Sequence, residues 1–98
     1  MIAASRMLWI EREGEDIGVP VIFATPVEDR GAWRCDVTIR WPDSERAFSA
    51  TGFDSVQALQ LAMRQTAMEL EMSPYHREGS LYFDEPGRDY GFPTDAFD

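Results

Sequence analysis

The chain has 98 residues, of which nine are basic and eighteen are acidic, so its formal net charge at pH 7 is −9. All nine basic residues are arginine. Nucleic-acid phosphates and anionic membrane surfaces attract proteins that carry clustered Lys and Arg, so this balance excludes nucleic acid and membrane as partners. The length, together with a hydrophobic content of 44%, predicts one globular domain over residues 1–98.

The cysteine content and the N-terminus point to one compartment. Cys35 is the single cysteine, so the chain has no internal disulfide. Residues 1–6 lack the basic start and apolar run of a signal peptide, and no segment approaches the ~18 apolar residues of a membrane-spanning helix. We therefore expect a soluble cytoplasmic protein.

Four segments have the composition or the alternation that is typical of β-strands. They are residues 5–12, 19–25, 33–41 and 46–51. The third is the clearest, because its odd-numbered residues are all apolar and its even-numbered residues are polar. Such a period of two predicts an antiparallel strand with one face in the core and the other in water. Turn-forming residues separate the four segments, which favours short hairpin connections.

A long helix is predicted over residues 55–72, a stretch that contains no Gly or Pro. Asp54 precedes it and can accept hydrogen bonds from the first helical N–H groups. Gln57 lies three residues later and can reach back, as in a capping box. We also expect Phe53 to pack on Ala58 as a hydrophobic staple.

The helix carries apolar residues on two sides. The first stripe should pack on the sheet and consists of Val56, Leu59, Met63, Ala67 and Leu70. A second strip, Leu61, Met68 and Met72, lies on the opposite side, where a surface helix is normally polar. Two interpretations stay open at this point. Either residues 81–93 fold back over the second strip, or a partner protein or a second copy of the chain binds there.

The C-terminal region is rich in loop-forming residues. Residues 80–83 are a candidate for a short fifth strand, and residues 84–98 are expected to be irregular, with the last residues frayed. The predicted fold class is α+β. It comprises an antiparallel four-stranded meander with one long helix packed on one face.

Several motifs resemble a known family. The helix start, GFDSVQALQLAM at residues 52–63, and the C-terminal YGFP at residues 90–93 are similar to those of a family of short, uncharacterised bacterial proteins. The N-terminus and the strand at residues 33–41 are also similar, so the resemblance covers nearly the whole chain. This family is a domain of unknown function. The resemblance therefore implies one compact bacterial domain and assigns no activity or catalytic residue.

The chain offers few groups for chemistry. Cys35 lies on the apolar face of its strand, where burial raises the pKa of a thiol and makes it inert. His76 is the single histidine and follows the helix in a loop, so it could meet Cys35 only if that loop folded over the sheet. One His and one Cys do not make a zinc site, and no phosphate-binding glycine motif is present. We expect no catalytic residue, metal or cofactor, and an enzyme is disfavoured.

Two functions remain as hypotheses. The favoured one is a small non-catalytic bacterial protein-interaction domain that binds a protein partner or a second copy. The contact would be made either by the helix strip, Leu61, Met68 and Met72, or by the C-terminal aromatic residues Tyr90 and Phe92. The alternative is an enzyme or a small-ligand-binding domain with a pocket between the sheet and the C-terminal segment. The residues of that pocket would be Tyr75, His76 and Arg77.

Overall fold

The computed structural model describes residues 1–93, and it consists of one antiparallel sheet with helices packed on one face. The elements are β1 (Ile2–Arg12), β2 (Glu15–Ala24), β3 (Val27–Asp29), β4 (Ala32–Arg40), β5 (Glu45–Gly52), α1 (Ser55–Glu71), α2 (Pro74–Arg77) and β6 (Leu81–Tyr82). The α+β class with an antiparallel sheet is confirmed. Residues 94–98, for which fraying was predicted, lie outside the described residues.

The sheet contains six strands within residues 1–93 rather than the predicted four. β1, β2, β4 and β5 form the predicted meander of antiparallel neighbours. β3 pairs with the first residues of β4, and β2 pairs with later residues on the same side of β4. β6 pairs with β1. β6 confirms the short fifth strand over two residues. β5 pairs with β4 alone and therefore forms one edge of the sheet.

Two tight turns set the register of the hairpins. Glu13 and Gly14 have φ values of 55° and 80°, and Arg30 and Gly31 have φ values of 56° and 82°. Each pair joins two strands as a two-residue loop with both φ values positive, which is the type I′ geometry whose twist matches that of a hairpin. The second turn lies between the predicted strands 19–25 and 33–41, where the sequence has turn-forming residues and predicts no strand. β3 was missed because a strand of three residues is too short to show alternation.

The core lies between α1 and the sheet face that carries Leu8, Val21 and Val37, all of them buried. The helix meets this face through short side chains, Ala58, Ala62 and Thr66, which are fully buried. The predicted stripe is therefore only partly right. Ala67 and Leu70 are buried and Leu59 and Met63 are half-buried, whereas Val56 is 62% exposed. Short side chains let the helix come close to the sheet, and this rotates its contact face away from Val56.

The start of α1 follows the predicted capping in part. Asp54 Oδ1 accepts a hydrogen bond from the Gln57 N–H at 2.8 Å, and Gln57 Oε1 accepts one from the Phe53 N–H at 2.6 Å. The predicted staple is wrong, because the Phe53 side chain is 91% exposed. Gly52, directly before it, is buried against the first turn of the helix.

Candidate binding groove

The C-terminal segment packs on the sheet beside α1. The Phe92 ring lies 5.7 Å from the Phe23 ring, and the Arg6 guanidinium lies over the rings of Phe83 and Phe92 at 4.3 and 4.7 Å. Arg6 also donates a hydrogen bond to the Tyr90 carbonyl oxygen at 3.0 Å. These contacts hold the segment over β1 and β2. Tyr90 is only 7% exposed and Phe92 is half-buried.

The second apolar strip of α1 is left open by this arrangement. The side chain of Met68 is 58% exposed and that of Met72 is 73% exposed, while Leu61 is half-buried against the core. Tyr90 and Phe92 instead share a cleft with Ala67, on the other side of the helix. The interpretation in which residues 81–93 cover the second strip is therefore wrong for the described residues. Because Tyr90 is buried, it is not available as part of an exposed partner surface, in contrast to Met68 and Met72.

A groove runs between this strip and β5. Its volume is about 540 Å³, and its walls are formed by Ser49, Ala50 and Thr51 from the strand and by Leu61, Arg64, Gln65, Met68, Glu69 and Met72 from the helix. One end is bounded by an ion pair in which Arg46 donates two hydrogen bonds to Glu69, at 2.8 and 3.1 Å. These hydrogen bonds raise the pKa of Arg46 above its ordinary value. The lining of the groove therefore combines apolar side chains with polar and charged ones.

A second, smaller cleft lies beside His76, which is itself exposed. Ser73 Oγ accepts a hydrogen bond from the His76 N–H and caps α2, and the His76 Nδ1 is hydrogen-bonded to the Tyr90 hydroxyl at 2.5 Å. Burial raises the pKa of Tyr90 to about 12, and the negative charge of Glu71 adds to this effect. The cleft encloses about 90 Å³ and is lined also by Arg88 and Asp89. The pair of rings therefore anchors the C-terminal segment to α2.

The structure separates the residues of the predicted ligand pocket. Tyr75 stacks on Trp41, with ring centroids 5.1 Å apart, and its hydroxyl donates a hydrogen bond to Asp43 at 3.0 Å. Arg77 is exposed at the end of α2. Tyr75 thus faces the β4–β5 turn, whereas His76 faces Tyr90. Tyr75 lines the concavity beside residues 43–46, whereas His76 lines the cleft with Tyr90.

Cys35 is buried, as predicted, and its thiol donates a hydrogen bond to the Ala24 carbonyl oxygen at 3.4 Å. Burial raises the pKa of the thiol, and the charge of Asp36 acts in the same direction. The Cys35 thiol is hydrogen-bonded to Ala24, and the His76 ring is hydrogen-bonded to Tyr90. Cys35 and His76 therefore do not form a nucleophile–base pair in this conformation. Over residues 1–93, no group of three His, Cys, Asp or Glu side chains is placed to hold a metal ion.

Sequence reasoning found the helical wall of the groove but missed its strand wall. Ser49, Ala50 and Thr51 carry no charge and no large side chain, so nothing in their composition marks them as part of a site. Their position in the chain was the available signal. The last strand of a meander lies at an edge of the sheet, and the helix that follows it packs beside that edge.

Fold and groove together define a small α+β domain whose main helix and edge strand enclose an open groove. The chain matches the family model described as Domain of unknown function (DUF6968) over residues 4–94, and it belongs to that family. The resemblance to an uncharacterised domain family is thereby confirmed. No curated protein and no solved structure matches the chain. None of the helices within residues 1–93 is long and apolar enough to cross a lipid bilayer.

Proposed function

We propose that this chain is a small non-catalytic protein-interaction domain of the bacterial cytoplasm, and that the groove between α1 and β5 is its binding site. The observation that carries the proposal is the exposure of Met68 and Met72 beside the half-buried Leu61 in an open groove. Exposed apolar patches commonly mark sites of protein–protein contact. Methionine side chains are flexible and polarisable, which suits them to adapt to a partner surface.

The size and openness of the cavities favour protein binding over the alternative, an enzyme or a small-ligand-binding domain. Ligand pockets usually enclose about 300–1,000 Å³ and bury most of the ligand. The cleft at His76 encloses about 90 Å³, which leaves little room beyond a few water molecules. The groove at Met68, about 540 Å³, and the concavity beside Tyr75, about 420 Å³, are larger, but both are open to solvent. An open groove suits a polypeptide better than a small molecule.

The test compares two exposed apolar sites of the same protein. The double variant Met68→Gln/Met72→Gln removes apolar surface from the groove and keeps side chains of similar length. Val27→Gln is the matched control, since Val27 is 43% exposed on β3, away from the groove. Both variants should keep the parent stability within about 0.5 kcal/mol, because exposed positions of this kind rarely contribute more.

Partners are captured from the native host with the parent protein, and affinities for each purified partner are then measured by calorimetry. The double variant should weaken binding at least tenfold, whereas Val27→Gln should leave it unchanged. Equal binding by all three proteins would contradict the placement of the site in the groove. Conversion of a small molecule by the parent protein, lost in His76→Ala, would contradict a non-catalytic function.

A further inference from the structure

β5 is an edge strand that lacks several of the features that usually protect an edge. Edge strands are commonly blocked by Lys or Pro, by a bulge, or by short length, because their outward main-chain groups can pair with another chain. β5 is eight residues long and contains neither Lys nor Pro. Its pairing with β4 is continuous from Arg40↔Glu45 to Trp33↔Gly52, with no register shift. Its charged residues, Glu45 and Arg46, lie at one end.

Three concavities lie beside parts of this edge. The main cavity lies beside residues 49–51, and it shares Glu69 and Met72 with a second concavity of about 420 Å³ beside residues 43–46. At the other end it shares Thr51 with a third concavity of about 180 Å³ that includes Phe53. Outward main-chain groups and apolar side chains therefore run side by side. An added strand needs both, since main-chain hydrogen bonds provide affinity and side-chain pockets provide selectivity.

We propose that an extended segment of a partner protein pairs with β5 as an additional strand and places alternate apolar side chains against Leu61, Met68 and Met72. The inference rests on the proposed function and specifies how the partner is bound. In an antiparallel edge strand, every second residue directs both its N–H and its C=O away from the sheet. A partner strand of about eight residues would span β5, since strands rise about 3.3 Å per residue.

The net charge of the chain, rather than the ion pairs beside the groove, indicates the chemistry of this segment. Glu69 lies on the helix side of the groove and is paired with Arg46, Glu45 lies on the strand side and is paired with Arg40, and Asp43 lies near its end. Arg64 is the one cation in the lining of the main cavity. The chain as a whole carries −9, so a second copy would meet repulsion between two acidic surfaces. The segment should therefore come from a different protein and carry Lys or Arg between its apolar residues.

The probe is a phage-displayed library of random dodecapeptides, selected on the full-length protein after depletion on Met68→Gln/Met72→Gln. We expect enriched peptides that alternate apolar residues with Lys or Arg and lack Pro at their centre. The strongest peptide is then synthesised with a single N-methyl group at each position in turn. N-methylation removes one donor and leaves the side chain unchanged.

A strand that pairs along one edge uses every second amide, so N-methylation should weaken binding more than tenfold at alternate positions only. Binding of the unmethylated peptide should also slow hydrogen exchange of alternate β5 amides at least tenfold. If the effect of N-methylation did not alternate along the peptide, strand addition would be overturned. The proposed function would still stand in that case if Met68→Gln/Met72→Gln weakened binding of the peptide. Failure to enrich any peptide over the methionine variant would overturn both.

Discussion

Gly52 is the position at which β5 and α1 come closest. A Cβ atom added there would lie 2.6 Å from the Ala58 nitrogen and 2.9 Å from both the carbonyl carbon and the Cβ of Gln57. Ordinary contacts of a Cβ atom begin near 3.4 Å, and two of these three atoms belong to the helix backbone, which cannot rotate away. Gly52→Ala should therefore push the first turn of α1 away from the sheet.

The expected loss of stability follows from two opposing effects. Inserting a methyl group into a packed contact usually costs about 1–3 kcal/mol, and a contact with backbone belongs at the upper end of that range. Replacing Gly with Ala also restricts the unfolded chain, which stabilises the protein by about 0.4–1 kcal/mol. The net destabilisation should be about 2 kcal/mol. In a domain of this size that corresponds to a fall in Tm of roughly 10 °C.

Gly18→Ala is the matched control. Gly18 is also a strand glycine without positive φ, but its added Cβ would meet the Met7 sulfur at 3.1 Å. Met7 is 44% exposed and flexible, so it can move aside. Urea and thermal unfolding of both variants measure the difference. If Gly52→Ala were as stable as Gly18→Ala, the close approach would carry no energetic weight and the reasoning from distances would be refuted.

Three further predictions concern single groups. Asp54→Ala should destabilise the protein by about 1 kcal/mol in urea unfolding through loss of the cap to Gln57, whereas Asp54→Asn should retain most of that stability. Because burial raises the pKa of Tyr90 to about 12, the folded state keeps a proton that the unfolded chain releases near pH 10. Stability should therefore fall as pH rises from about 10 to 12, and Tyr90→Phe should remove that part of the fall in urea titrations at successive pH values. Cys35 should resist a thiol reagent in the native protein and react fully in urea, and rapid native labelling would contradict its burial.

The elements that could be predicted are those governed by neighbouring residues. Alternation over β4, the cap at Asp54 and the helix that follows are local features, and the structure contains all of them. The burial of Cys35 follows from the same alternation. Where contacts between residues far apart in the chain decide which side chains are buried, the sequence was less informative. Val56 was expected to be buried because it is large and apolar, but Ala58 and Ala62 take that place because they allow closer packing.

The placement of the C-terminal segment shows the same limit for the site. Tyr90 and Phe92 were candidates for a partner surface, as were Met68 and Met72, because the sequence pattern did not settle whether these aromatic side chains are buried. Their separation depends on Arg6, whose contacts draw the segment toward β1. No local pattern links Arg6 to a carbonyl group so far along the chain. The strand side of the groove depends in the same way on the order of strands in the sheet.

The long connection between β1 and β6 has a consequence for the order of folding. The pairs β1–β2, β3–β4 and β4–β5 join strands that are neighbours in the chain. In contrast, Trp9 of β1 pairs with Tyr82 of β6, and all the other strands and α1 lie between them in the sequence. Local contacts form with less loss of chain entropy, so the hairpins should assemble before β6 docks. Substitutions at Tyr82 or Tyr90 should therefore speed unfolding and leave the refolding rate nearly unchanged. We therefore expect the C-terminal segment to dock last, on a sheet that has already formed.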